Sequence, residues 1–188
     1  MWECDDGGVT SSARGRLLVA SPDLEDPNFR RTVVLMLTHE DEGALGLILN
    51  RPTDIPLVDL LPEWVDVAAP PACLYVGGPV DPDAALGLGE GPREGAADRS
   101  EMIVGLIGAV NLDGRPEDYA SLRVFIGYSG WGAGQLEGEI ARGDWFVVDA
   151  QVEDVTTATP DELWRSVLRR QRSRVSIFAS APDDATAN

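Results

Sequence analysis

One histidine, His39, closes an apolar run and is followed at once by Glu40, Asp41 and Glu42. An imidazole beside carboxylates can act as a general base or as one ligand of a metal ion. A metal would need a further ligand from a distant segment, and no CxxC or Cys/His spacing supplies one. We therefore expect no metal and no cofactor. The competing reading is a strand-end ring hydrogen-bonded beside a turn, with solvated acids around it. Ser129 sits in Gly127-Tyr128-Ser129-Gly130-Trp131. A nucleophile elbow needs glycine where Trp131 stands, and a triad with His39 would run in His-before-Ser order. A turn or cap hydroxyl is the plainer role for Ser129.

The elements that must position these groups centre on Arg123–Gly143. This stretch reads as a strand (Arg123–Ile126), a glycine-dense corner (Gly127, Gly130, Gly132, Gly134) and a helix (Gln135–Arg142) stopped by Gly143. Glycines at a helix start bring backbone N–H groups close to an anion. The spacing G-x-G-x-G is not the G-x-G-x-x-G of a dinucleotide loop, and Asp149 falls inside the next strand rather than ending it. An anion pocket and a glycine corner for close packing against Trp131 and Trp145 both remain open.

The rest of the chain reads as short strands between turn signals. Arg16–Ala20, Thr32–Thr38, Ala44–Leu49, Cys73–Val76, Ala84–Leu88, Met102–Leu112 and Trp145–Ala150 are predicted strands. The second and third form a hairpin about Asp41-Glu42-Gly43, apolar on both faces and therefore central. Ile55–Leu61 is expected to be a short helix stopped by Pro62, and Glu90–Glu101 a mobile surface loop. Thr159-Pro160-Asp161-Glu162 carries a capping-box pattern, with Leu163, Trp164, Val167 and Leu168 as a buried helical face. Residues 1–13 and 180–188 are expected to be disordered tails around one domain at 14–179.

With 188 residues the chain can bury roughly 70% of its unfolded surface as a single domain. Its 32 acidic and 15 basic residues leave a net charge of −17, and every basic residue is arginine. That field repels phosphate backbones, so direct nucleic-acid contact is disfavoured. One cluster, Arg165 to Arg174 on the last helix, could meet an acidic partner or a second copy. Without a leader or a run of ~18 apolar residues, a soluble cytoplasmic protein with no membrane contact is expected. Two isolated cysteines, Cys4 and Cys73, agree with a reducing compartment.

Three stretches together resemble the YqgE/AlgH family: DPNFRRTVVLMLTHEDEGALGLILNRP (Asp26–Pro52), LYVGGPV (Leu74–Val80) and RVFIGYSGWGAGQLEGEIARGDW (Arg123–Trp145). The resemblance implies a bacterial cytoplasmic protein of α/β class, a single compact domain with a curled mixed β-sheet and flanking helices. The family carries the label of transcriptional regulator, and its molecular activity is not established. Where many members have a cysteine two residues before the histidine, this chain has Leu37, so thiol chemistry from that position is absent. Gly108–Ala120 also departs from the hydroxyl-rich stretch expected there.

The strand ends and glycine turns on these motifs are rich in polar groups. Our leading expectation is a non-catalytic binding protein in which His39, Asn50, Arg51, Gly78, Tyr128, Ser129, Trp131, Gly132 and Gln135 share one pocket for a small anionic ligand or a protein partner. The alternatives are a hydrolase using His39 with Ser129 or a water, and a regulator that binds DNA directly.

Overall fold

The computed structural model describes residues 12–91, 102–172 and 174–181. Ten strands form one curled half-barrel sheet. β1 (Arg16–Ala20), β2 (Val33–Glu40) and β3 (Gly43–Ile48) meander antiparallel, and β9 (Ser121–Gly132) follows β3. Beyond β9 come β6 (Val80–Glu90), β8 (Ile107–Val110) and β7 (Met102–Val104), while β10 (Trp145–Asp149) flanks β1. β4 (Pro52–Pro56) pairs with β5 (Cys73–Val76), and β5 runs parallel to β9, which makes the sheet mixed.

The two-faced apolarity of the first hairpin has its expected consequence. Val33, Leu35, Leu47 and Leu49 enter one core; Val34, Met36, Ala44 and Ile48 enter another on the opposite face. Helix α3 (Leu163–Arg169) covers the first face with Leu163, Trp164, Val167 and Leu168, all buried. The Trp164 indole N–H donates to the Ala20 carbonyl at 2.8 Å, so this large ring is buried with its polar atom satisfied. Helix α1 (Gln135–Arg142) covers the second face through Leu136, which packs with Trp131 and Trp145.

Four local expectations are corrected. The strand beginning near Arg123 does not stop at Ile126: β9 continues for 12 residues through Gly127, Gly130 and Gly132. Ile55–Leu61 is not a helix. Its first part belongs to β4, held by the Thr53 hydroxyl donating to the Leu74 carbonyl, and Pro62 opens a 3-10 turn (Pro62–Val67) instead of stopping a helix. Met102–Leu112 is a hairpin, β7 and β8, turning at Gly105 with φ +57°. Thr159 makes no side-chain cap, and Pro160–Glu162 is a 3-10 turn. The capping box belongs to α2 (Val152–Val155), where Gln151 and Asp154 cap each other's backbone N–H groups.

Most of the expected loop, 92–101, and most of the expected tails, 1–11 and 182–188, lie outside the described residues. Ala13, placed in the first tail, is buried against the α1-covered core. Ser180 ends a 3-10 segment, Arg174–Ser180, whose Phe178 stacks on Phe146 at 5.4 Å.

Candidate functional site

The residues expected to share one pocket are laid along the sheet in three places. Register sets their spacing. His39 pairs with Ala44, Ala44 with Trp131, and Gly43 with Gly132, so these groups sit at the hairpin end of β3. Ser129 lies opposite Gly46, part way along. Asn50 and Arg51 follow the far end of β3, six or seven residues beyond Ala44, which is about 20 Å at roughly 3.3 Å per residue. A single site cannot hold all nine.

At the hairpin end the polar atoms are paired within the fold. The His39 Nδ1 accepts the Ala13 N–H at 2.9 Å, so the proton belongs to Nε2, which donates to Glu137 Oε1 at 2.7 Å. Both ring nitrogens are thereby engaged. The Glu137 carboxyl is held below its ordinary value by hydrogen bonds from its own backbone N–H and then from His39. One turn on, Glu139 Oε2 accepts the indole N–H groups of Trp131 and Trp145, and Oε1 accepts from Gln135 Nε2. Burial pushes Glu139 up, but the bonds from Trp145, Gln135 and Trp131 outweigh it and leave the carboxyl lowered. Gln135 Oε1 in turn accepts the Gly132 N–H at 3.1 Å, tying the end of β9 to α1. Phe29 packs against both indoles, with ring centroids 6.0 and 5.6 Å away. Trp131 and Gln135 are thus fixed as parts of a joint between sheet and helix.

Midway, the Gly77-Gly78 turn crosses directly over β9. A Cβ on Gly127 (φ +65°) would lie 2.6 Å from the Gly78 carbonyl oxygen and 2.9 Å from that of Val80. A Cβ on Gly78 would strike the Tyr128 backbone. These glycines serve backbone-to-backbone approach. At Gly127 one edge of β9 changes partner, from β5 over Val124–Ile126 to β3 over Ser129–Gly132. Ser129 is wholly buried, and its hydroxyl donates to the Gly77 carbonyl at 3.1 Å. It is engaged as a cross-strand tie, and His39 is engaged elsewhere, so the nucleophile–base pair of the hydrolase alternative is not assembled. Tyr128 is half-buried against the α3-covered core.

The far end differs. Asn50 is buried and splints the neighbouring strand entry: Oδ1 accepts the Val33 N–H and Nδ2 donates to the Arg31 carbonyl, each at 2.9 Å. Arg51 follows and lines three recesses. One of about 210 Å³ is shared with Asn28, Val76 and Gly78. A second, of about 440 Å³, involves Glu25, Arg30 and Arg31, and a third, of about 150 Å³, involves Asn50, Asp161 and Arg165. Burial lowers the Arg51 pKa from its ordinary value, and Asp161 opposes that shift. Asn50, Arg51 and Gly78 are therefore the predicted residues that the fold does bring together.

Sequence reasoning missed Glu139, Arg30, Arg31, Asp161 and Arg165. Glu139 had a readable signal, since Gln135 precedes it by four on a predicted helix. The doublet Arg30-Arg31 stood beside the first motif. Asp161 and Arg165 come from a remote helix start, and nothing local links them to Arg51. Among the described residues, no three of His, Cys, Asp and Glu come together as a metal site, and no helix is long and apolar enough to cross a membrane.

Fold and sites define a single-domain protein on a curled, mainly antiparallel half-barrel sheet, with its helices packed on the two faces. The chain belongs to the AlgH-like family, whose model matches residues 17–176. It is 47% identical over 186 residues to a UPF0301 protein of Streptomyces avermitilis, covering 95% of this chain and 96% of that one. A UPF0301 protein of Mycobacteroides abscessus is 43% identical, with 93% and 87% covered. The crystal structure of a Corynebacterium diphtheriae protein superimposes with a TM-score of 0.83 at 32% identity, over 89% of this chain and 91% of that one. The solution structure of AlgH from Pseudomonas aeruginosa gives a TM-score of 0.65 at 27% identity, over 95% and 99%.

Proposed function

We propose that this chain is a non-catalytic binding protein whose receptor site is the Arg51 recess, taking a small carboxylate- or phosphate-bearing ligand. One observation carries the reading. On a chain of net charge −17, Arg51 lines three recesses to which Arg30, Arg31 and Arg165 also contribute. A cationic hollow in an acidic field selects compact anions and turns away polyanions such as DNA. Arg51 commits Nη2 to the Arg30 carbonyl, which orients a guanidinium whose planar fork matches a carboxylate or phosphate.

The alternatives draw less support from the geometry. The hydrolase reading needs His39 and Ser129 free for chemistry, and both are bonded to other groups. The DNA reading needs the C-terminal arginines to face a duplex, yet Arg165 donates to the Ala181 carbonyl and Arg170 grips Asp154.

Thermal unfolding in inorganic phosphate and in citrate, at fixed ionic strength, tests the proposal. A shift that grows with either anion and disappears in Arg51→Ala supports it. No shift with either anion, or an equal one in Arg51→Ala, overturns it.

A further inference from the structure

A second set of donors lies inside the fold. The parallel register pairs Leu74 with Val124 and Tyr75 with Phe125, so Cys73 and Tyr75 share a sheet face with Arg123 and Phe125. Arg123 is only 2% exposed and Tyr75 is fully buried. The Arg123 Nη2 donates to the Pro70 carbonyl at 3.0 Å and to the Thr157 carbonyl at 2.8 Å. Its Nε and Nη1 have no hydrogen-bond partner among the described residues, and neither has the Tyr75 hydroxyl. The guanidinium carbon stands 4.3 Å from the centre of the Tyr75 ring. All of these donors are buried, where unmade hydrogen bonds are costly.

Charge narrows what can satisfy them. A guanidinium keeps its proton in proteins, so Arg123 carries a full positive charge into the core. The ionisable groups that face it are Tyr75 and Cys73. Burial pushes the Tyr75 phenol up to about 12, and it also raises the Cys73 thiol, so at neutral pH both are uncharged. The two carbonyls take only Nη2. What remains is a positive charge with N–H and O–H donors and no counter-charge, in a place closed to bulk solvent.

We propose that Arg123 Nε and Nη1, with the Tyr75 hydroxyl, form an enclosed site for one halide-sized monovalent anion. The donor set asks for an acceptor that needs no acceptor in return, which a halide meets and a lone water does not. Enclosure excludes phosphate and larger carboxylates, so the site is separate in selectivity from the Arg51 recess. The bound anion ties β5, β9 and the segment carrying Thr157 together, and fold stability depends on halide concentration.

The test compares thermal unfolding of the full chain in sodium gluconate, chloride and bromide at equal ionic strength. The melting temperature is expected to rise with chloride and bromide over gluconate. Crystals grown in bromide should show an anomalous peak within hydrogen-bonding reach of Arg123 and the Tyr75 oxygen. Tyr75→Phe keeps the ring and removes one donor to the anion, and it should weaken the apparent halide affinity about tenfold. Arg51→Ala should keep the halide response in full. Equal melting temperatures in gluconate and halide, a water in place of bromide at Arg123, or an unchanged response in Tyr75→Phe would each overturn the proposal.

Discussion

Trp131 and Trp145 donate their indole N–H groups to the same carboxylate oxygen, Glu139 Oε2, at 2.8 and 2.9 Å. One indole comes from the end of β9 and the other from the start of β10, so a single side chain on α1 joins the last strands to the helix between them. Replacing Glu139 with Ala leaves two N–H groups on rings 5% and 3% exposed without their acceptor. We expect a loss of about 2–4 kcal/mol, read as a lower urea midpoint with a shifted tryptophan emission. Glu139→Gln should lose less, because an amide oxygen still accepts, although its NH₂ then opposes that of Gln135.

Acid stability follows from the same helix. Glu137 and Glu139 both have folded pKa values below their ordinary 4.5. A carboxyl depressed on folding contributes stability that is present above the unfolded value and lost as pH falls through the folded one. The urea midpoint should therefore hold steady down to about pH 5 and then decline. Glu139→Gln removes one such group, so its midpoint should start lower at neutral pH and fall less steeply in acid. Parallel curves for the two proteins would contradict this.

For His39 the engaged tautomer makes a different prediction from a catalytic base. His39→Gln cannot keep both bonds, and the Ala13 amide loses its acceptor. Hydrogen exchange at Ala13 should accelerate while the core of β2 and β3 stays protected, with a stability cost of about 1–2 kcal/mol. Unchanged protection at Ala13 would dissolve the latch.

Asn50 stands in for a strand neighbour where β2 begins. Asn50→Leu, of similar volume, strands the Val33 N–H and the Arg31 carbonyl and should cost about 2–4 kcal/mol. Because residues Arg30 and Arg31 wall the Arg51 recess, the phosphate response should weaken in the same variant. Arg51→Ala should show the reverse pattern: phosphate response lost, stability within about 0.5–1 kcal/mol of the parent. Gln135→Ala, which touches the Glu139 joint and not the recess, should leave the phosphate response intact.

Much of the fold was legible because local pattern and tertiary context agreed. β1, β5 and α1 fall where turn residues and apolar spacing place them, and the β2–β3 hairpin is central because both its faces are apolar. The misreadings arose where distant partners overrode local signals. Pro52–Pro56 looks like a loop leading to a helix, but β5 offers it a pairing edge. The glycines of β9 look like a corner, yet they are needed so that the Gly77-Gly78 turn can pass over the strand. At the site, the polar residues were correctly singled out as motif elements, but their grouping was not readable. Side chains from His39 to Gln135 turn out to satisfy one another, and only the Asn50-Arg51 end, joined by Gly78, opens into recesses. Asp161 and Arg165 reach that end through tertiary packing of α3, which spacing along the chain does not encode.

The order of the sheet also sets a schedule for synthesis. β9 is the neighbour of β3, β5 and β6 at once, and β10 completes β1 across a register running from Arg16 with Asp149 to Ala20 with Trp145. A nascent chain that has not yet exposed Ser121–Gly132 holds three early strands with open edges and no template to join them. The long-range pairings place folding among the slower topologies. Assembly is therefore a late event on or after the ribosome, and the waiting strands are natural clients for a chaperone.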